Sequence, residues 1–209
     1  MLRILIADDH HVVRKGLRQI LLDEFPTSVI EDVADAEELI KKVMHAKWDV
    51  VISDLSMPGR SGLDALQQIK LSYPDLPVLI LSIHPEEQYA LRALKSGASG
   101  YLSKDAAPDE LVKAVKKVML GKKYISQAIA EKLANSFSSE SLLSPHENLS
   151  DREFDVMKLL ANGQSVSEIA ERLSLSVTTV STYRARVMVK MHLKSNSDLT
   201  RYAIEYKLI

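Results

Sequence analysis

Residues 50–59 read VVISDLSMPG, and the fold turns on what this stretch forms. Val50, Val51, Ile52 and Ser53 are apolar or small, with no polar alternation, which is the pattern of a strand buried on both faces. The run ends in an acid, Asp54. Beyond it, Pro58 and Gly59 end the strand in a turn. An aspartate at the carboxyl end of a buried parallel strand lies where open α/β sheets hold their ligands. Asp54 is therefore a candidate phosphoryl acceptor.

The flanking sequence repeats the same unit. LRILIA (2–7) predicts a first strand with Asp8 and Asp9 at its carboxyl end. Val12, Val13, Gly16, Leu17, Ile20 and Leu21 recur at helical spacing and predict one apolar face. A weaker strand at 28–33 and a helix at 36–46, with Leu39, Ile40 and Val43 inward, complete the upstream half. Downstream, the spacing predicts a helix over 61–72 and a strand over 77–82 that ends at Ser82. A helix over 86–96 is closed by Gly97, and a short strand over 99–103 delivers Lys104. Pro108 opens a last helix that Gly121 closes. Five strands alternating with five helices predict a doubly wound parallel sheet. That alternation brings Asp8, Asp9, Asp54, Ser82 and Lys104 to a single edge. Three carboxylates gathered there repel one another unless a cation shares them, and hard oxygen donors suit Mg2+. Lys104 offers a point charge to phosphoryl oxygens and Ser82 one hydrogen bond.

Composition narrows the class. The 209 residues are 46% hydrophobic and 26% charged, ordinary for a globular protein of one or two domains. No apolar run approaches membrane-spanning length, residues 1–30 lack the order of a signal peptide, and zero cysteines fit a cytoplasmic protein. The net charge of −1 hides an asymmetry: residues 1–120 hold 15 Lys+Arg against 18 Asp+Glu, whereas residues 149–209 hold 9 against 7. Arg184, Arg186, Lys190 and Lys194 fall in an acid-free stretch, 177–194. Residues 122–148 read as a linker, with a helical start over 124–135 and a Ser-rich end flexible from Ser138. From 149 onward only helices are expected. Ser150 to Glu153 and Ser165 to Glu168 have capping-box spacing, Ser176 caps a basic helix over 177–191, and a fourth helix starts at Asp198. Two short helices joined by a tight turn, the second basic, make a helix-turn-helix pattern.

The chain thereby resembles the two-component response regulators of the NarL/FixJ class. Residues 1–121 resemble a receiver domain (flavodoxin-like) through IADDH (6–10), SDLSMPGRSG (53–62), LILS (79–82) and GYLSKD (100–105). Residues 149–209 resemble a LuxR-type helix-turn-helix through the LSxRE opening, EIAERL (168–173), S-x-x-TV (176–180) and the later K-M (190–191). The resemblance implies Asp54 as phosphoacceptor, fed by a sensor histidine kinase. It implies a Mg2+ site from Asp8, Asp9, Asp54 and the Ser56 carbonyl. It also implies Ser82 and Lys104 as switch and phosphate-binding residues, with Tyr101 as the switch aromatic. In similar proteins the positions of Ser56 and His84 flank the approach of hydrolytic water, so these two are expected to tune dephosphorylation. Thr178, Thr179, Ser181, Thr182, Tyr183, Arg184 and Arg186 are expected on or near the DNA-facing side of the recognition helix, with Lys190 meeting phosphate. Phosphorylation is expected to promote a homodimer on double-stranded DNA, and dimer contacts from Leu199, Ala203 and Tyr206 stand beside a core role for the same residues. Ser181 and Tyr183 depart from the Lys and His common in the family.

An Asp nucleophile with a metal also serves phosphatases. Those enzymes carry a second acid two residues after the nucleophile, where this chain has Ser56. Without that group to protonate a leaving group or activate water, only slow self-dephosphorylation is expected, with no external substrate.

Overall fold

The computed structural model describes residues 1–106, 108–131 and 144–209. The chain forms two compact units, Met1–Ser139 and Glu140–Ile209. The first runs β1 (Arg3–Ala7), α1 (His11–Glu24), β2 (Val29–Val33), α2 (Ala36–His45), β3 (Val50–Asp54), α3 (Gly62–Ser72), β4 (Val78–Ser82), α4 (Glu86–Lys95), β5 (Gly100–Ser103) and α5 (Pro108–Met119). The strands form one sheet in the order β2-β1-β3-β4-β5, with every pair parallel. β3 and β4 are buried at every position, which explains why neither alternates in hydropathy. β1 sends the chain to β2 on one side, and β3 then pairs on the other. The crevice of this switch point opens at the carboxyl ends of β1 and β3.

Two expectations for this unit need correction. The apolar face of α1 does not extend to its start. Leu21 is fully buried and Leu17 and Ile20 pack on the core, but Val12 is 81% exposed and Gly16 is exposed too. Only the later turns of α1 cover core residues, so periodicity overstated the buried stripe. The start of the expected linker is also built into the fold. The Tyr124 N–H donates to the Ser99 carbonyl at 2.8 Å, and Tyr124 forms a parallel bridge with Gly100. The Tyr124 hydroxyl bonds Glu110. Residues 127–131 are helical, with Ile129 buried. The rest of that expected helix, and the flexibility expected from Ser138, fall largely in 132–143, outside the described residues.

The second unit opens with a 3-10 turn, Pro145–Asn148, followed by α6 (Asp151–Ala161), α7 (Val166–Arg172), α8 (Val177–Met191) and α9 (Asn196–Glu205). Both expected capping boxes are present. A further one, Ser195 with Asp198, was not foreseen. It starts α9 earlier than expected and makes Asp198 the third helical residue rather than the cap. Leu199 and Ala203 are fully buried, as are Phe154, Met157, Ile169, Val180 and Val187, so both belong to the core. Tyr206 stays partly exposed and stacks on Tyr202, ring centroids 4.3 Å apart. His146, in the expected linker, hydrogen-bonds the Tyr202 hydroxyl at 2.8 Å.

Candidate functional site

Strand alternation and loop position bring the acids together. β1 ends one residue before Asp8, and the Asp8 carboxylate accepts the His10 N–H at 2.8 Å, folding the β1–α1 loop back on itself. Arg14 fixes the same turn by donating to the Asp8 carbonyl at 2.6 Å. Asp54 closes β3, almost fully buried. The Lys104 ammonium lies 2.7 Å from both Asp54 Oδ2 and Asp8 Oδ2. The other Asp54 oxygen, Oδ1, accepts the Ser56 N–H at 3.3 Å. Asp8, Asp9, His10 and Asp54 each place one ligand atom within 4.8 Å of the others.

Burial pushes the Asp54 carboxyl above its ordinary range, and the Lys104 hydrogen bond and charge only partly offset it, with Asp8 adding to the rise. Burial works to lower the Lys104 pKa, but bonding to Asp54 and Asp8 overcomes it and holds the ammonium more firmly protonated. The site thus pairs a charged lysine with carboxylates that one ammonium does not neutralise. Asp8 Oδ2 and Asp9 Oδ1 are buried without a geometrically sound hydrogen bond among the described residues, although the Lys104 ammonium lies 2.7 Å from the first and His10 Nδ1 2.7 Å from the second. Such a donor set, oxygen-rich and under-neutralised, fits a hard divalent cation.

Ser82 is fully buried at the end of β4, and its hydroxyl accepts the His84 N–H at 3.0 Å. Tyr101 lies inside with its hydroxyl on the His84 carbonyl at 2.9 Å, and burial is the main cause that pushes its phenol well above the ordinary tyrosine value. His84 also meets Ser56, Oγ to Nε2 at 2.9 Å, and stacks on Tyr89. Ser56 and His84 therefore span the mouth of the site from two different loops. His10 was not foreseen. Its nearness to the acids follows from the tight turn at Asp8, and the IADDH run was the only signal available.

In the second unit, α7 and α8 are joined through Ser174 in the left-handed conformation. Ser176 caps α8 by accepting the Thr179 N–H at 3.0 Å. Thr178, Ser181, Thr182 and Arg186 are exposed, on one broad face with Val189. Arg186 makes no hydrogen bond or ion pair among the described residues. Thr179 and Tyr183 are half-buried, and Arg184 donates to Asn196 at 3.1 Å. Lys190 lies apart: its ammonium bonds the buried Glu153 carboxylate at 2.6 Å and reaches the Asn148 carbonyl at 3.4 Å. The glutamate of the LSxRE opening and the lysine of the later K-M are thus partners, so Lys190 has a structural role whatever else it touches.

That pair gives a prediction. Burial works to raise the Glu153 pKa, but Lys190 and the Ser150 hydrogen bonds outweigh it and hold it below 4.5. A depressed carboxylate contributes stability that is complete above its unfolded value and is lost as pH falls through the folded one. Glu153→Gln is expected to cost the second unit about 1–3 kcal/mol at neutral pH. The difference from wild type should shrink below about pH 4. Hydrogen exchange of α6 and α8 amides in the full chain reads this; equal protection at pH 7 would refute it.

Residues 4–116 match the family described as the response regulator receiver domain, and residues 147–203 match the bacterial regulatory proteins of the luxR family. The chain is 39% identical over its whole length to the response regulator UvrY of Escherichia coli K12, covering 96% of that protein. It is 40% identical to the oxygen regulatory protein NreC of Staphylococcus carnosus, covering all of this chain and 99% of that one. Among solved structures, RcsB from Salmonella enterica serovar Typhimurium, bound to promoter rprA with the phosphomimetic BeF3-, matches at a TM-score of 0.63 and 27% identity. The match covers 97% of this chain and 98% of that one. With a receiver matched over its sheet and acidic edge, and a LuxR-type unit behind it, the chain belongs to the two-component response regulators that carry a LuxR-family DNA-binding domain.

Proposed function

We propose that the protein is a DNA-binding transcription factor switched by phosphorylation of Asp54. Residues 1–121 form the phosphoacceptor receiver, 122–148 connect, and 149–209 bind DNA. The observation that carries this reading is the convergence of Asp8, Asp9, Asp54 and Lys104 at the switch point of the sheet. A sensor histidine kinase supplies the phosphoryl group. An Asp54 carboxylate oxygen forms the new P–O bond as the donor's P–N bond breaks, and the imidazole leaves. Asp8, Asp9, Asp54 and the Ser56 carbonyl would hold Mg2+, which would supply charge neutralisation to the phosphoryl oxygens. Lys104 pairs with one of those oxygens and the Ser82 hydroxyl donates to another. Ser82 and Lys104 thereby move towards the phosphoryl group, and Tyr101, inside and bonded to the His84 carbonyl, links that movement to β5 and α4.

No acid stands at Ser56, so the aspartyl phosphate is lost slowly, with no external substrate. Ser56 and His84, in contact at 2.9 Å, screen the mouth through which water reaches phosphorus. Replacing both with Ala is expected to change the acyl-phosphate lifetime by about tenfold, less than the roughly hundredfold or more of a positioned general acid or base, because here the pair only screens the water's approach. An unchanged lifetime removes the role.

The exposed face of α8 enters the major groove, with Arg186 and Arg184 on phosphates and base edges. The hydroxyls of Thr178, Thr179, Ser181 and Thr182, with Tyr183, set register on the backbone. RcsB has been solved as two dimers on two parallel DNAs, and a phosphorylated homodimer on paired half-sites is the corresponding assembly here. A DNA-bound regulator of this kind works in the cytoplasm. Arg186→Ala is expected to weaken DNA binding and flatten the log affinity against log salt by about one unit. An unchanged slope would take Arg186 out of the interface. The reading as a whole is tested by adding a small acyl phosphate with Mg2+ to wild type and Asp54→Ala. DNA affinity and dimer fraction should rise only in wild type, and an equal response in both overturns control through Asp54.

A further inference from the structure

We propose that Ala185 and Val189 on α8 read thymine C5-methyl groups in the DNA major groove, which makes them specificity-determining residues for A·T pairs. The inference rests on α8 as the DNA-reading helix, inside the segment 147–203 that matches the luxR family, and adds to it the chemistry of the base that is read. Val180, Val187 and Met191 are buried and define the inward side of α8. At about 100° per residue, Val189 lies diametrically opposite that side, and Ala185 within about 40° of the same line. Both are exposed, Val189 at 72%. They stand one turn apart, with Cβ atoms about 5–6 Å from each other on the outermost part of the helix. Thr178 and Thr182 share that line, and each brings a γ-methyl beside its hydroxyl.

Side chains that discriminate the other bases are missing from this line. The major groove offers adenine to Asn or Gln, cytosine to Asp or Glu, guanine to Arg or Lys, and thymine, through its methyl, to apolar groups. α8 contains no Asn, Gln, Asp or Glu. Its cations stand off the line, Arg186 by about 60°, Lys190 by about 100° and Arg184 by about 140°. Arg184 is bonded to Asn196 and Lys190 to Glu153, so both are tied to side chains of their own unit. The cations are therefore placed for the groove walls, where phosphates lie, and the acid-free stretch 177–194 leaves nothing to repel those phosphates. An aliphatic side chain on the outermost line gains only where it meets another apolar group, and on the groove floor that group is the thymine methyl.

The test selects sites from a random duplex pool with the full-length protein, a small acyl phosphate and Mg2+. Each thymine of the selected site is then replaced by deoxyuridine, which removes only the methyl. Wild type should lose about fourfold in affinity at one or two positions, the value of one buried methyl. Ala185→Gly and Val189→Ser should each erase the difference at one of them. The readout is a ratio between two DNAs, so a variant with a weakened helix still reports. A selected site lacking thymine, or one with no thymine-to-uracil difference at any position, overturns the methyl reading and leaves DNA binding standing. A difference that both variants retain assigns the methyls to other residues and overturns the role of Ala185 and Val189. Failure of wild type to hold any duplex of the pool overturns the DNA reading and this inference with it.

Discussion

Asp54→Asn is expected to stabilise the receiver by roughly 1–3 kcal/mol in metal-free buffer at pH 7 while abolishing phosphoryl uptake. The Asp54 carboxyl is buried at the end of β3, and its pKa is raised above the ordinary 3.8, chiefly by that burial. A carboxyl whose folded pKa is raised favours the fold fully below its unfolded value. That contribution disappears as pH rises through the folded value. At neutral pH the ionised group is therefore a net cost, which the amide removes while keeping shape and an acceptor for the Ser56 N–H. Lys104 is not stranded, because Asp8 Oδ2 remains 2.7 Å from its ammonium. The gain should vanish near pH 3.8 and grow above it. Trp48, the single tryptophan and well buried in the first unit, reports the unfolding. Adding Mg2+ should reverse the order, since a ligand that binds only the folded wild type stabilises it by mass action. An asparagine variant less stable than wild type without metal would show that Lys104 already neutralises the site.

The strands were legible because a parallel sheet buries both faces of its central members, leaving unbroken apolar runs such as VLILS at 78–82. The edge on which Asp8, Asp9, Asp54, Ser82 and Lys104 meet follows from topology once each run is seen to end in a polar residue. Contacts that depend on where loops fold were not legible. Ser56 and His84 are 28 residues apart and touch only because the loops after β3 and β4 lean together. Glu153 and Lys190 are 37 apart, and each had a satisfactory local account, as a cap partner and as a phosphate contact. Val12 failed for the opposite reason: helical periodicity records which side of α1 is apolar, not how much of its length lies over the core. His10 was hidden by its neighbours, since the acids carried the whole metal argument.

Gly62→Ala is expected to cost the receiver about 3 kcal/mol or more and lower its melting temperature by about 10 °C or more. Gly62 is the first residue of α3, after Ser61, whose hydroxyl caps the helix in a box with Asp64. Its N–H donates to the Leu55 carbonyl at 2.9 Å, which draws the helix onto the end of β3. A Cβ there would lie 1.9 Å from the Asp54 carbonyl oxygen and 3.1 Å from Ser53 Oγ. Neither is the mobile tip of a long side chain, so relief requires the backbone of β3 and α3 to part at the phosphoacceptor itself. The Ser53 hydroxyl, which donates to the same carbonyl at 3.0 Å, would move with it. Phosphoryl uptake should therefore fall along with stability, in a variant whose Asp54, Lys104 and Asp8 are all intact. Gly16→Ala supplies the control. Gly16 lies inside α1, exposed, with nothing within 4 Å of an added Cβ, so the same change there should stabilise by about 0.5–1 kcal/mol. Opposite signs at two helical glycines of one domain would show that space beside Asp54, rather than backbone freedom, is what position 62 requires. Equal effects at both would mean that β3 and α3 yield easily and do not hold the acceptor in place.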